Sequence, residues 1–335
     1  MNHINRLNIK YFKSIKNLNL RAKRVNVFIG EPNSGKTNIL EALCFFAMNN
    51  MDGNNFKQLI RHRKPQDLFF DSDISRTIEV NTNLRIAKFH FAKDEKGSIY
   101  NQFWLDIYNV SNKKPELYRQ RFSKTGEKAG TPEGMVNLST NFLNYSFKRL
   151  FSFSETFRPF LDPPYGENLP QLLLTNPKLK KRVSDFLKSK GYKLQLKQIE
   201  NDLEVVKEKD EVLYPLPFVM ISETMQRMII LTLAIESNNN CVIILDEPEA
   251  NTFPFYTAHF AERIARDSSN QYFLTTHNPY LLFKLIEKTP ERDLNIILTK
   301  MKNYETSISL LNKKQKENMS EAGADIFFNL DSLTK

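Results

Sequence analysis

Apolar and polar residues alternate over Ile4–Ile9 and again over Ile15–Leu20, the period of half-buried strands. At Arg24–Ile29 the alternation gives way to an apolar run, which predicts a strand buried on both faces. A helix is predicted over Lys36–Met48, with Ile39, Leu40, Leu43 and Phe46 on one face. Strand character returns in Arg76–Thr82, Leu84–Phe91 and Gln102–Tyr108, with a hairpin-like break at Lys93–Gly97. Lys113–Gly134 is polar and glycine-containing, and reads as loop. The aromatic-rich stretch Leu138–Phe160 predicts a helix, and LDPPYGENL (Leu161–Leu169) a turn into another. Further on come an apolar helix at Met228–Ile235 and two buried strands, Cys241–Leu245 and Gln271–Thr275. Two closing strands, Asp293–Lys300 and Thr306–Asn312, precede a terminal apolar segment at Asp325–Phe328. This order predicts an α/β fold in which 1–110 and 212–335 form one discontinuous domain with an antiparallel β-layer. Residues 111–211 are expected to be a mainly helical insertion.

Composition changes this picture little. A chain of 335 residues is long enough for a full core. Cys44 and Cys241, its only cysteines, lie in apolar segments, which excludes a disulfide framework and zinc-type spacing. The first residues lack the apolar stretch of a signal peptide, and Met228–Ile235 is too short to span a bilayer. A cytoplasmic protein without a membrane partner is expected. The net charge of +10 suits an acidic partner such as DNA, although abundant Asn, Lys, Ile and Phe equally fit A/T-biased coding. The basic residues concentrate in 178–197, and Lys178, Lys180, Lys181, Arg182, Lys188 and Lys190 are the candidate contacts to a phosphate backbone.

Chemistry enters directly after the first buried strand. Residues 30–37, GEPNSGKT, match the phosphate-binding loop G-x-x-x-x-G-K-[ST] in full, in the required strand-loop-helix context. Gly30 and Gly35 let successive N–H groups turn toward a polyphosphate, and the following helix adds its positive end. Lys36 is suited to the β- and γ-phosphates of ATP and Thr37 to Mg²⁺, with Asn33, Ser34 and Asn38 completing the nucleotide-binding set. Some 200 residues later the strand CVIIL ends in Asp246 and Glu247. An acid at the end of a buried strand can hold Mg²⁺, and its neighbour can take a proton from water. His277 ends the next strand, where it can sense the γ-phosphate. Gln66, in the loop RHRKPQD, is a weaker candidate metal contact. Lys13, between the first two strands, is a candidate for the adenine or ribose. Ser222 is positioned to cap the helix that follows it.

Taken together, GEPNSGKTNILEAL, SETMQR, CVIILDEPEAN and FLTTHNP resemble the ABC-type ATPase heads of the RecF/SMC/OLD-like group, in particular its stand-alone bacterial AAA-family members. The specific motifs cover the first ~50 residues and about 215–300. The resemblance implies a P-loop NTPase fold and a homodimer of heads enclosing two ATPs. It also implies Glu247 as catalytic base, Ser222 reaching the other protomer's γ-phosphate in trans, and Asn251 opening a loop at the dimer interface. Thr224 stands where the signature usually has glycine, and Pro32 where the loop often has Asn. OLD-type relatives carry a TOPRIM nuclease. The segment after His277 has no Asp-x-Asp pair in strand context, so none is expected in this chain. The functions implied are an ATP-hydrolysing switch acting on DNA or on a separately encoded effector, in DNA repair or anti-phage defence. The alternatives are a non-hydrolysing scaffold and, further off, a transporter ATPase subunit.

Overall fold

The computed structural model describes residues 3–50, 56–92, 102–110, 118–134, 141–323, 327 and 330. The expected break at 93–97, and parts of 113–134 and 325–328, fall outside them.

Three sheets organise the described chain. The first is antiparallel and seven-stranded: β1 (Arg6–Phe12), β2 (Ile15–Arg21), β4 (Ile78–Thr82), β5 (Arg85–Ala92), β6 (Gln102–Asn109), β7 (Tyr118–Phe122) and β8 (Lys128–Glu133), in the order β2-β1-β4-β5-β6-β7-β8. The second holds β3 (Val25–Ile29), β9 (Asn141–Tyr145), β13 (Cys241–Leu245), β14 (Gln271–Thr275), β15 (Leu294–Lys302) and β16 (Glu305–Leu310). Its order is β16-β15-β3-β14-β13-β9, and every pairing but β15–β16 is parallel. The third is the meander β10 (Tyr192–Lys197), β11 (Asp202–Lys209), β12 (Val212–Pro217). Eight helices complete the fold among the described residues: α1 (Lys36–Leu43), α2 (Phe56–Leu59), α3 (Leu169–Thr175), α4 (Pro177–Lys188), α5 (Glu223–Glu236), α6 (Pro254–Arg266), α7 (Pro279–Lys288) and α8 (Lys313–Ala322). None of the described helices is long and apolar enough to cross a membrane.

β3, β13 and β14 are buried along their whole length, and successive residues serve different cores. Val25, Val27, Ile29, Ile243, Leu245, Tyr272 and Leu274 join the core under α4–α7. Phe28, Val242, Ile244 and Phe273 join the one shared by α1 and the antiparallel sheet. Because side chains alternate across a strand, a sheet covered on both sides needs the continuous apolar runs seen in the sequence. Parallel pairing also brings the C-terminal ends of β3, β13, β14 and β9 to one edge, where the chemistry collects.

The segment 111–211 departs from expectation. Its described part contains five strands and two helices, not a mainly helical insertion. β7 and β8, in the stretch expected to be loop, extend the antiparallel sheet. Leu138–Phe160 is not a helix. Asn141–Tyr145 pairs with β13, sending Phe142 to one core and Leu143 and Tyr145 to the other. Beyond Tyr145, Pro159, Pro163 and Pro164 lack the N–H groups a helix would need. The basic segment 178–197 is split at Gly191, whose φ of 79° turns the chain from α4 into β10. Within it Arg182 bonds Glu236, and Lys193 and Lys197 bond Glu208 and Glu204. Lys178, Lys180, Lys181, Lys188 and Lys190 remain exposed. The helix expected over Lys36–Met48 ends at Leu43 and tightens to 3₁₀ over Cys44–Asn50.

Burial gives the fold a definite pH response. His3, His62, His90, His259 and His277 are all held below the ordinary histidine pKa of 6.5, in each case chiefly by desolvation. As pH falls through 6.5 the unfolded chain therefore takes up these protons first, and stability falls with pH. Glu249, raised by burial, titrates in the opposite sense, one group against five. The melting temperature should fall between pH 7 and pH 5.5 at constant ionic strength. A flat or rising profile would remove the argument.

Candidate functional site

At the end of β3 the chain turns through Gly30 and passes close under the β15–β16 hairpin. A β-carbon on Gly30 would lie 2.2 Å from the Thr299 carbonyl oxygen, and one on Gly35 2.0 Å from Thr306 Oγ1. Asn33 (φ 60°) and Gly35 (φ 94°) take the left-handed conformations that fold the loop back to start α1. Lys36 is buried, and its ammonium donates to the carbonyls of Gly30 at 2.9 Å and Glu31 at 2.8 Å. Desolvation lowers its pKa, while the charges of Glu247 and Asp246 oppose the shift. The buried Ser34 hydroxyl has no partner. An unpartnered hydroxyl, a desolvated ammonium resting on neutral carbonyls and a free helix N-terminus together suit a polyphosphate.

Opposite the loop, the ends of β13 and β14 interlock. Asp246 Oδ1 accepts from the Thr37 hydroxyl at 3.2 Å and from the Thr275 hydroxyl at 2.5 Å. Thr275 Oγ1 in turn accepts the Glu247 N–H at 3.0 Å. Glu247 sits at φ 44°, a strained conformation that aims its carboxylate at His277, 3.2 Å from Nε2. Desolvation first, and Lys36 second, lower the His277 pKa, so at neutral pH the ring is uncharged and can donate one N–H. Glu249, two residues after Glu247, is buried and accepts from the Thr276 hydroxyl. The Thr37 hydroxyl on α1 and the Asp246 carboxylate just after β13 can hold a hard cation such as Mg²⁺, with water supplying the other ligands.

These elements frame a cleft of ≈ 460 Å³ that joins residues 32–38 with Ser14, Arg61, Glu247, His277 and Met301. Of the sequence candidates, Asn33, Ser34, Gly35, Lys36, Thr37, Asn38, Glu247 and His277 line it. Asn38 is fixed by donating to Ser14 Oγ at 2.8 Å, and that hydroxyl meets Thr306 Oγ1 at 2.6 Å. Lys13 does not line the cleft. Its ammonium is held by Glu41, whose burial makes the pair hard to open. The other Glu41 oxygen accepts from the Arg61 backbone N–H and Nε at 2.9 and 2.8 Å. Arg61 thus reaches the cleft, whereas exposed Gln66, five residues on, does not and donates to the Ser72 carbonyl. Gln66 is the candidate the sequence offers in this loop; Arg61 is found only through Glu41 on α1, one turn beyond the phosphate loop. Ser222 accepts the Met225 N–H at 3.3 Å as the cap of α5, and also lies outside the cleft.

Comparison with known proteins fits this geometry. The profile of the family described as "AAA domain, putative AbiEii toxin, Type IV TA system" matches residues 25–282. No curated protein matches the chain. Among solved structures, an SMC head bound to the C-terminal winged-helix domain of ScpA is similar, with TM-score 0.52 at 13% identity, covering 95% of this chain and all of that one. An SMC head domain from Thermotoga maritima gives a TM-score of 0.45 at 13% identity, covering 92% and 99% of the two chains. An SMC head bound to the C-terminal domain of ScpA, derived from Pyrococcus furiosus, gives 0.49 at 14% identity, covering 96% and 99%. At such identities these likenesses speak to fold, and the first is the one that carries weight. The chain belongs to the AAA-domain family whose profile it matches, and its fold is similar to that of an SMC head.

Proposed function

We propose that the protein is an ATP-hydrolysing switch that works as a homodimer, coupling Mg-ATP turnover to DNA or to a partner effector. The observation that carries this reading is the convergence of Thr37 with Asp246, and of Glu247 with His277, around one cleft. In this reading residues 30–38 and Arg61 hold the polyphosphate, and Lys36 exchanges two neutral carbonyls for a charged acceptor. Thr37 and Asp246 hold Mg²⁺, which when bound offsets phosphate charge. Glu247 accepts the proton of the attacking water, and the uncharged His277 ring keeps its carboxylate aimed.

The family description, a putative toxin of a type IV TA system, supports the defence setting over DNA repair. The SMC head of similar fold is bound by a domain of ScpA, which supports a partner protein here. The exposed lysines of α4 support contact with DNA.

Thr224 favours a second reading, a scaffold that binds ATP without hydrolysing it. In place of glycine, Thr224 adds a side chain whose hydroxyl donates to the Asn251 carbonyl at 3.3 Å. One experiment separates the two. Purified protein with Mg-ATP should dimerise, and turnover per molecule should rise with protein concentration. Duplex DNA should alter that rate, with an affinity that drops about 10³-fold or more between 50 and 200 mM salt if six or more phosphates are contacted. ATP retained unhydrolysed for hours in a stable complex would replace the switch by the scaffold. Binding indifferent to salt would remove DNA.

A further inference from the structure

At the start of α5 the Glu223 carboxylate gathers three groups. Arg227 donates to Oε1 from Nε and a terminal nitrogen, both at 3.0 Å, and Asn251 Nδ2 reaches the same oxygen at 3.3 Å. Arg149 donates to Oε2 at 3.3 Å. The two arginines differ in setting. Arg227 is largely buried beneath the Phe147 ring, 4.3 Å from its centroid. Arg149 is 58% exposed.

The topology fixes where Arg149 lies. It follows β9, the outermost strand in the run β3-β14-β13-β9, all parallel, so it emerges on the same sheet edge as the phosphate loop. Three inter-strand steps of about 4.8 Å separate that end of β9 from the loop at β3. Arg149 does not line its own cleft. Between the two, where α6 and α7 begin, Phe253, Phe255 and Tyr280 are 65%, 67% and 56% exposed. Three large exposed rings beside this edge suit a covering surface. A second copy, related by a two-fold axis near the ends of β13 and β14, would cover these rings. The same rotation would carry the β9 end of each copy over the loop of the other, as an isologous interface requires.

Resting on the dimeric reading above, we propose that Arg149 is a catalytic residue supplied in trans, binding the phosphates of the nucleotide held by the second copy. Glu223 in the first turn of α5 would by itself repel a polyphosphate, and Thr224 blocks the close backbone approach that glycine allows. Arg149 and Arg227 reverse the sign of this surface, and Arg149 carries its charge outward on a planar fork suited to phosphate oxygens. Glu223 and Asn251 together keep that fork in place.

The test mixes two variants. Arg149→Ala should lower ATP turnover at least about tenfold, the loss expected for one hydrogen bond between charged groups. ATP binding by its own loop should persist, and this also shows that the variant folds. Glu247→Gln supplies a copy with Arg149 intact but no base of its own. In a mixed dimer the Arg149→Ala copy contributes loop and base while the Glu247→Gln copy contributes Arg149, so combining the two impaired proteins raises turnover above the sum of the two alone. If Arg149 acts on its own nucleotide, the mixture gains no turnover over its parts. That result, or wild-type turnover by Arg149→Ala, overturns the proposal while wild-type dimerisation with ATP leaves the dimeric reading standing. Wild-type protein that stays monomeric with ATP overturns both. Should Arg149→Ala fail to fold, Arg149→Gln keeps the apolar stem and replaces it in the same mixture.

Discussion

Glu247→Gln should lower ATP turnover by at least ~10²-fold, the lower end of the range for loss of a general base. ATP should remain bound. Glutamine has nearly the shape of glutamate but accepts no proton at neutral pH. The substitution also leaves the scaffold of the site alone, because Glu247 is anchored by its backbone N–H to Thr275 Oγ1, not by its side chain. Thr275 continues to hold Asp246, and Asp246 continues to meet Thr37. With hydrolysis stopped and nucleotide retained, the ATP-bound dimer should accumulate and be visible by size-exclusion chromatography with light scattering. Phosphate release at the wild-type rate would mean that the base is another group.

A second large effect is expected at Gly30. Gly30→Ala should abolish detectable ATP binding and destabilise the fold by about 2–4 kcal/mol, the cost of overpacking a site that cannot relax. The new β-carbon would sit 2.2 Å from the Thr299 carbonyl oxygen and 2.9 Å from Ser34 Oγ. A side chain could rotate away from such a clash, but a carbonyl within a ladder cannot. Leu298 is paired with Ile29, so β15 can retreat only by breaking its bonds to β3. Gly191→Ala is the control. Gly191 also has positive φ, at 79°, but nothing lies within 4 Å of its added β-carbon. It should cost about 1 kcal/mol, for backbone strain alone. Equal effects on melting temperature at the two positions would show that strain, not the hairpin above the loop, sets the requirement for glycine at position 30.

The elements read well from sequence are those in which one physical cause dominates. The strands 25–29, 241–245 and 271–275 are covered on both faces and so are mostly apolar, with Asn26, Gln271 and Thr275 buried among them. The phosphate loop needs glycine, lysine and a hydroxyl residue at fixed spacing, because backbone curvature and phosphate geometry leave little choice. Asp246, Glu247 and His277 end strands of one parallel sheet, so naming the strands placed these residues on a common edge. The misread elements are those settled by a neighbour. Asn141–Tyr145 is as aromatic as a buried helix, and only pairing with β13 makes it a strand. Tyr118–Phe122 and Lys128–Glu133 are polar enough for loop, and become strands by extending the sheet beyond β6.

The same division runs through the site. By itself the sequence determined that a nucleotide loop, an acidic strand end and a histidine strand end belong together, because each is a local pattern with a local cause. Only the tertiary structure decided which charges are free to act. Glu41, one turn into α1, ties up Lys13 and carries Arg61 to the cleft. Glu223 holds Arg149, which stays 58% exposed beyond the end of β9. Whether a cation meets a carboxylate or solvent depends on contacts between residues 20 to 74 positions apart, and no spacing rule along the chain records them.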